Sequence, residues 1–317
     1  MKWFSFLLQK TVSYRKKPPT KVRSKLFALS LCFLAGSVVL SGDVSRWRRK
    51  TLATIPHQLT NAQIDRAAAE ITVKIHGEAF LGSGIILQKT KNTYFVITNQ
   101  HVLRASSPPY KIQTPDGATH QGQVVTTPSN IDADLALLRF DSKNAKYSAA
   151  SLGDFSQLKT GEPIFAAGFP AEARGNGSPH SLPGFTFTAG EVAIVLHKPL
   201  QEGYQIGYTN HVEKGMSGGP LLNRQGEVVG INGKHAYPLW DAPDFYEDNS
   251  QPCQPLQELI TRSSLAIPVQ KAFGLLSAPD VSKLTRRNSQ NNSLLSTIAT
   301  DSSAEDRGKI ESSQHCQ

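Results

Sequence analysis

Short apolar runs separated by turn residues fill the chain from Ile71 to Val269, and they constrain the fold more than any other feature. Ile71–Ile75 alternates apolar and polar residues, and Tyr94–Thr98 follows the polar turn Lys-Thr-Lys-Asn. Runs of this length between turn residues are typical of β-strands, and many of them together favour a sandwich or a barrel. The sequence therefore predicts an all-β fold, with strands at 71–75, 85–87, 94–98, 123–125, 135–140, 163–170, 185–189, 191–196, 204–209, 221–222, 227–231 and 265–269.

Helices are expected only at the ends of this β region. The segment 61–70 is rich in alanine and follows a capping residue, Thr60 or Asn61, so it predicts a short helix. A second short helix is expected to end near Leu276. Residues 43–60 are interpreted as a linker and 61–277 as the folded domain. The segment 278–317 is predicted to be a disordered tail, because it is polar and has few large apolar residues.

The net charge of +9 belongs to the N-terminal segment. Residues 1–50 hold 12 Lys or Arg and one acid, Asp43, so residues 51–317 sum to −2. The folded part has no surplus of positive charge for a phosphate backbone, which argues against nucleic-acid binding.

The N-terminus has the pattern of an export signal. Residues 1–25 carry eight Lys or Arg and no acid, and the next 17 residues, 26–42, carry no charge. Such a run is shorter than the roughly 20 apolar residues of a spanning helix, so it predicts a signal peptide or a short membrane anchor. We expect the rest of the chain on the exported side, in the periplasm or outside the cell, touching the membrane only through residues 26–42.

Cysteine is scarce, and no cofactor is expected. Cys32, Cys253 and Cys316 form no Cys-x-x-Cys pair, so neither a zinc site nor a redox motif is predicted. A disulfide between Cys253 and Cys316 is left open. The oligomeric state cannot be derived from the sequence.

Three polar signals interrupt the predicted strands. They are His101, where a β run ends, Asp134, which leads directly into an apolar run, and Ser217, within Gly-Met-Ser-Gly-Gly-Pro. A hydroxyl nucleophile needs a base to take its proton, and the base needs a carboxylate to orient it. The order His, Asp, Ser is the one used by chymotrypsin-like proteases. Asp132 is a competing carboxylate.

Four motifs together give the chain a resemblance to a known family: Gly82-Ser83-Gly84, Thr98–Val102, Asp134–Leu138 and Gly215–Pro220. They resemble trypsin-like serine peptidases of the chymotrypsin clan, above all bacterial and cyanobacterial members, and more distantly the HtrA protease domain. The resemblance covers roughly residues 62–276. It implies two six-stranded β-barrels, about 70–145 and about 160–270, with the active site in the cleft between them.

The resemblance also implies roles for individual residues. His101 is expected to be the general base, Asp134 its orienting partner and Ser217 the nucleophile. The backbone N–H groups of Gly215 and Ser217 are expected to form the oxyanion hole. Met216 stands where animal relatives carry an Asp that pairs with a new N-terminus, so we expect activity without a freed α-amino group.

The substrate pocket is the least constrained part of the interpretation. By the family's spacing, its floor lies six residues before the nucleophile, at His211, and Asn232, Gly233, Lys234 and His235 line one wall. The basic members would favour an acidic substrate residue, whereas the four acids of 241–248 would oppose it.

The sequence as a whole predicts an exported serine endopeptidase that acts on proteins or peptides. Two alternatives remain open. One is a catalytically silent binding or scaffold protein on the same barrels, and the other is an esterase that uses the same residues.

Overall fold

The computed structural model describes residues 58–125, 132–143, 146–172, 181–237 and 244–276. The expected signal or anchor segment, most of the linker and the expected tail lie outside the described residues, as do Cys32 and Cys316. Cys253 is disulfide-bonded. None of the helices in the described ranges is long and apolar enough to cross a membrane.

The first half of the domain is a closed antiparallel barrel of six strands. The strands are β1 (Thr72–His76), β2 (Phe80–Thr90), β3 (Thr93–Thr98), β4 (Tyr110–Gln113), β5 (Thr119–Val124) and β6 (Ala136–Asp141). Their order around the barrel is β1-β2-β3-β6-β5-β4. Since β3 and β6 are neighbours and Thr98 pairs with Ala136, the end of β3 and the segment before β6 meet at one end of the barrel.

The second half repeats this architecture. Its strands are β7 (Pro163–Gly168), β8 (Thr186–Val195), β9 (Ile206–Tyr208), β10 (Pro220–Leu222), β11 (Val228–Lys234) and β12 (Ser264–Pro268). Their order is β10-β11-β12-β9-β8-β7, again a closed barrel. The expectation of two six-stranded β-barrels is confirmed.

The helices are short. They are α1 (Asn61–Ile71), α2 (Gln100–Arg104), α3 (Gln254–Thr261) and α4 (Lys271–Leu276). Helix α1 begins with a capping box: the Thr60 hydroxyl accepts from the Gln63 N–H, and the Gln63 side chain accepts from the Thr60 N–H. α1 and α4 are the helices expected at the ends, whereas α2 and α3 lie within the domain.

Two strand predictions need correction. The separate strands expected at 185–189 and 191–196 are one strand, β8, which runs through Gly190. The strand β4 was not expected, and β5 was expected only at its last residues, because its sequence THQGQV is polar and largely exposed. Alternation of apolar and polar residues predicts a strand only where one face of the strand is consistently apolar.

A large apolar cluster joins the two barrels. Each barrel has its own interior cluster, built around Val96 and Leu138 in the first and Ile164 and Val229 in the second. The larger cluster takes members from both barrels and from helices α1, α3 and α4. The two barrels therefore share one apolar core, and the residues that bridge the barrels pack against it.

Candidate active site

His101, Asp134 and Ser217 all lie on short connecting segments beside the junction of the barrels. His101 is in the first turn of α2, which directly follows β3. Asp134 lies two residues before β6, and Ser217 lies three residues before β10. The strand register brings the first two together, because β3 and β6 are paired at Thr98 and Ala136.

The Asp134 carboxylate is buried and faces His101. Its side chain is 1% exposed, and Oδ2 lies 2.5 Å from Nδ1 of His101. The other oxygen, Oδ1, accepts the backbone N–H of His101 at 2.8 Å. The competing residue Asp132 is exposed, so Asp134 is the carboxylate that contacts the imidazole.

Two further side chains reach the same carboxylate. The hydroxyl of Tyr204, from the second barrel, donates to Oδ2 at 2.8 Å. The guanidinium of Arg104 lies 3.4 Å from Oδ1, but its side chain is 58% exposed. An exposed partner at that distance contributes little, because solvent screens the interaction.

Burial alone would raise the pKa of Asp134, since it disfavours the charged form. The hydrogen bond and the charge of His101 oppose this effect, together with the Tyr204 hydroxyl and the His101 backbone N–H. The donors prevail, so the pKa of Asp134 lies below its usual value. The carboxylate is therefore ionised at neutral pH.

The backbone of Asp134 is fixed as firmly as its side chain. Its carbonyl accepts from the Asn99 side-chain amide at 2.9 Å and from the Gln100 N–H at 3.2 Å. Its N–H donates to the carbonyl of Glu202, in the second barrel, at 2.9 Å. Contacts from both barrels thus hold this aspartate.

The Ser217 hydroxyl donates to the carbonyl of Gly233 at 3.1 Å, and no described hydrogen bond joins it to His101. The Ser217 carbonyl accepts the Ser83 N–H at 2.9 Å. An ideal Cβ at Gly82 would lie 3.0 Å from Val102 Cγ1 and 3.2 Å from the Ser217 carbonyl oxygen. Since Val102 follows His101 directly, helix α2 and the Ser217 turn meet across this glycine.

The turn around Ser217 depends on glycine geometry. Gly215 and Gly218 have φ angles of 98° and 84°, which side chains with L configuration rarely adopt. The Gly218 N–H donates to the Asn232 carbonyl at 2.8 Å, and the Met216 N–H donates to Glu213 at 3.0 Å. In contrast, the N–H groups of Gly215 and Ser217 have no acceptor among the described residues.

A serine from the first barrel anchors this turn. The buried Ser83 hydroxyl donates to the Gly215 carbonyl at 2.8 Å and accepts the Phe169 N–H at 2.9 Å. The Gly215 carbonyl is therefore turned toward Ser83. Met216 is fully buried beside Gly168, at a position where an ionic partner would be costly.

The residues expected to form the substrate pocket have different environments. His211 is largely exposed, with Nε2 3.4 Å from Glu213 Oε1. Asn232 is buried, and its side chain bonds the Tyr208 hydroxyl and the carbonyls of Ala167 and Pro220. His235 is exposed.

Lys234 and Gly233 complete this region. The Lys234 ammonium pairs with Asp244 Oδ1 at 3.0 Å, so one acid of the segment 241–248 neutralises it. Gly233 places its carbonyl against the Ser217 hydroxyl.

Sequence reasoning did not identify two of the polar contacts. Tyr204 lay inside a predicted strand, and nothing in its spacing pointed to Asp134. Ser83 was noted as part of a motif, but the contact of its hydroxyl with Gly215 spans 132 residues. No cluster of three or more His, Cys, Asp or Glu within the described ranges could hold a metal ion.

Residues 82–231 match the family model described as "Trypsin-like peptidase domain". The match begins in the Gly-Ser-Gly motif, ends in β11 and includes all three residues of the site. This part of the chain is therefore similar to a trypsin-like peptidase domain.

Among curated proteins, the chain is similar to Serine protease Do-like HtrB of Bacillus subtilis, at 32% identity over 47% of this chain and 32% of that protein. It is also similar to the Putative serine protease HhoA of Synechocystis, at 34% identity over 48% of this chain and 36% of that protein. A Probable periplasmic serine endoprotease DegP-like of Pseudomonas putida is 35% identical over 48% of this chain and 28% of that protein.

The chain thus spans about a third of the length of these relatives. Among solved structures, the HtrA-type protease AlgW with decapeptide aligns with a TM-score of 0.49 and 20% identity, over 72% of this chain and 68% of that one.

Proposed function

We propose that this chain is a serine endopeptidase that hydrolyses peptide bonds of proteins through Ser217, His101 and Asp134. The observation that carries the proposal is the buried Asp134 carboxylate, ionised and bonded at Oδ2 to Nδ1 of His101. A carboxylate in that position fixes the imidazole tautomer with Nε2 as the free base. The imidazole is then oriented to accept a proton from a neighbouring hydroxyl.

In the proposed reaction, the Ser217 hydroxyl leaves the Gly233 carbonyl and turns its proton toward His101. Such bonds are often long or misaligned without substrate and tighten when it binds. Ser217 Oγ then adds to the scissile carbonyl carbon while His101 takes the proton. When the C–N bond breaks, His101 returns that proton to the leaving amine, which leaves an acyl-enzyme. Water, activated by the same base, hydrolyses the ester and restores Ser217.

The oxyanion is proposed to bind to the N–H groups of Gly215 and Ser217. Both donors lack an acceptor among the described residues, and the bond from Ser83 holds the Gly215 carbonyl in place. Donors that are already oriented stabilise developing charge without reorganisation. Met216 is buried, which fits our expectation that this loop forms without a freed N-terminus.

The substrate pocket is proposed to lie at His211, Asn232, Gly233 and His235, as the resemblance to trypsin-like peptidases implies. The location is also a proposal: export is supported by the basic, apolar pattern of residues 1–42 and by similarity to a relative named as periplasmic. Residues 26–42 would serve as signal peptide or anchor.

Turnover of a fluorogenic peptide library and a matched ester library tests the proposal. We expect the purified protein to cleave peptides, and Ser217→Ala to lose this cleavage while keeping the wild-type melting temperature. Cleavage of esters alone would favour the esterase alternative. A folded protein without Ser217-dependent turnover of either library would favour the binding protein.

A further inference from the structure

Tyr204 contacts the carboxylate of Asp134, although it is not one of the three proposed triad residues. Its hydroxyl donates to Asp134 Oδ2 at 2.8 Å, and this is the oxygen that also faces Nδ1 of His101. The ring is 1% exposed. Burial, followed by the charge of Asp134, holds the pKa of Tyr204 well above its usual range. The hydroxyl therefore keeps its proton and acts as a donor.

The local backbone holds Tyr204 against Asp134. The two preceding residues, Glu202 and Gly203, have φ angles of 64° and 86°. For a glutamate this conformation costs on the order of 1 kcal/mol, so surrounding contacts must stabilise it. The Glu202 carbonyl accepts the Asp134 N–H at 2.9 Å, and an added Cβ at Gly203 would lie 3.1 Å from Ala133. The strained turn thus packs directly on the loop that carries Asp134.

The neighbouring strand leaves room for this hydroxyl. An ideal Cβ at Gly233 would lie 2.3 Å from the Tyr204 hydroxyl oxygen, which is too close for any side chain. The Gly233 carbonyl accepts the Ser217 hydroxyl at 3.1 Å. Tyr204 consequently lies between the Asp134 carboxylate and the strand that contacts Ser217.

We propose that Tyr204 is a positioning residue, which sets how strongly Asp134 Oδ2 accepts from His101 and thereby tunes the base. Two donors share one oxygen, so each lowers the electron density available to the other. Loss of the Tyr204 donor strengthens the bond from His101 to Asp134 and so stabilises the protonated imidazole. It also removes one of the side-chain contacts that orient the Asp134 carboxylate. This inference rests on the proposed function.

Other charged groups near this pair are exposed or already paired. Arg104 lies 3.4 Å from Asp134 Oδ1 and 3.7 Å from Glu202 Oε1, with its side chain 58% exposed. Lys234 lies 4.7 Å from the centroid of the Tyr204 ring and is paired with Asp244. Added salt weakens their effects on the pair, whereas a buried hydrogen bond is little affected.

The test compares Tyr204→Phe with Tyr208→Phe. Tyr208 is a matched control because it is also fully buried and its hydroxyl bonds Asn232, at 2.9 Å, rather than Asp134. For Tyr204→Phe we expect kcat/KM to fall about 10- to 100-fold, since a hydrogen bond to a charged group is lost. We expect the acidic limb of the pH profile to move up by about 0.5 to 1 pH unit, in low and high salt. Tyr208→Phe should lower the melting temperature without moving this limb.

The NMR signal of the His101 Nδ1 proton gives a readout that does not depend on turnover. It should move downfield in Tyr204→Phe and stay in place in Tyr208→Phe. If Tyr204→Phe does not fold, 3-fluorotyrosine at position 204 replaces it. Its more acidic hydroxyl is a stronger donor, so the acidic limb and the proton signal should move in the opposite directions.

An acidic limb and a proton signal that both stay in place in the Tyr204 variant would overturn the inference and leave a structural role only. If the wild-type protein shows no turnover, the proposed function fails, and the proton signal alone still decides the role of Tyr204.

Discussion

The two halves of the site are held in opposite ways. On the proposed acid–base side, side chains make the fixing contacts: the Asp134 carboxylate accepts from His101 at both oxygens and from Tyr204 at one. On the nucleophile side, the Ser217 side chain makes one bond of 3.1 Å. The backbone of its turn is fixed instead, by Ser83 and by the bond from Gly218 to Asn232.

The difference fits what the proposed reaction requires of each half. A nucleophilic hydroxyl has to rotate from its resting partner to the base, so its side chain cannot be bonded firmly. The orienting carboxylate must keep one direction throughout the reaction, so it gains from every donor that reaches it. The acid–base half should therefore be sensitive to polar substitutions, and the nucleophile half to atoms added at its glycines.

Asp134→Asn should give the largest effect on activity. The amide can present an NH₂ group to Nδ1 of His101, which favours the tautomer that leaves no base facing Ser217. We expect kcat to fall on the order of 10⁴-fold, with the substrate's KM little changed. Steady-state kinetics of the purified variant checks this. A loss below about tenfold would show that the carboxylate does not orient the base.

Gly218→Ala should disrupt the nucleophile half of the site, because it changes the backbone of the Ser217 turn. The residue has a φ of 84°, and an added Cβ would lie 2.2 Å from the Ser83 carbonyl oxygen. We expect more than about 2 kcal/mol of destabilisation, from left-handed strain together with the clash. Displacement of the oxyanion donors should also lower kcat about 10²- to 10³-fold.

Gly161→Ala is the matched control for Gly218→Ala, because Gly161 has a φ of 83° and an added Cβ there meets no atom within 4 Å. It should cost only the strain, about 1 kcal/mol, and leave kcat unchanged. Urea unfolding and kinetics of both variants measure this. Equal losses of stability would contradict the view that the turn is closely packed.

Ser83→Ala should have the smallest effect of the three. The substitution leaves the Phe169 N–H without its acceptor and the Gly215 carbonyl without its donor, both in a buried region. We expect about 1–3 kcal/mol of destabilisation and a roughly tenfold loss of kcat as the turn loosens.

Thr72→Val is the control for Ser83→Ala, since the Thr72 hydroxyl is buried and bonds the Ala68 carbonyl at 2.6 Å in α1. It should lose stability without losing kcat. A Ser83→Ala variant that behaves in the same way would show that the Ser83 bond supports the fold but not the reaction.

The sequence was informative where a pattern repeats or a residue type is restricted. Short apolar runs predicted most strands, the resemblance to trypsin-like peptidases implied the two barrels, and Gly226, with a φ of 75°, closes the predicted turn between β10 and β11. The polar strand β5 lacked that signal, whereas β4 alternates buried Tyr110 and Ile112 with polar residues over only four positions and was not predicted. His101 follows the end of β3, as expected, but the short helix α2 that contains it was not predicted, because its five residues are too few to show a helical period.

The contacts that support the site were harder to derive, because they join distant segments. Tyr204 meets Asp134 across 70 residues, and only the packing of the two barrels brings them together. Gly233 is related to this contact, because a side chain at that position would collide with the Tyr204 hydroxyl. The sequence alone does not show this reason for the glycine, since it depends on the position of Tyr204.

Labelling with a fluorophosphonate tests the central claim most directly, because the probe reacts covalently with a serine activated by a neighbouring base. Mass spectrometry of the digested adduct should place one phosphonyl group on Ser217. Ser217→Ala and His101→Ala should remain unlabelled at equal melting temperature. A folded wild-type protein that takes up no label, or that takes it up equally in the His101 variant, would contradict the account.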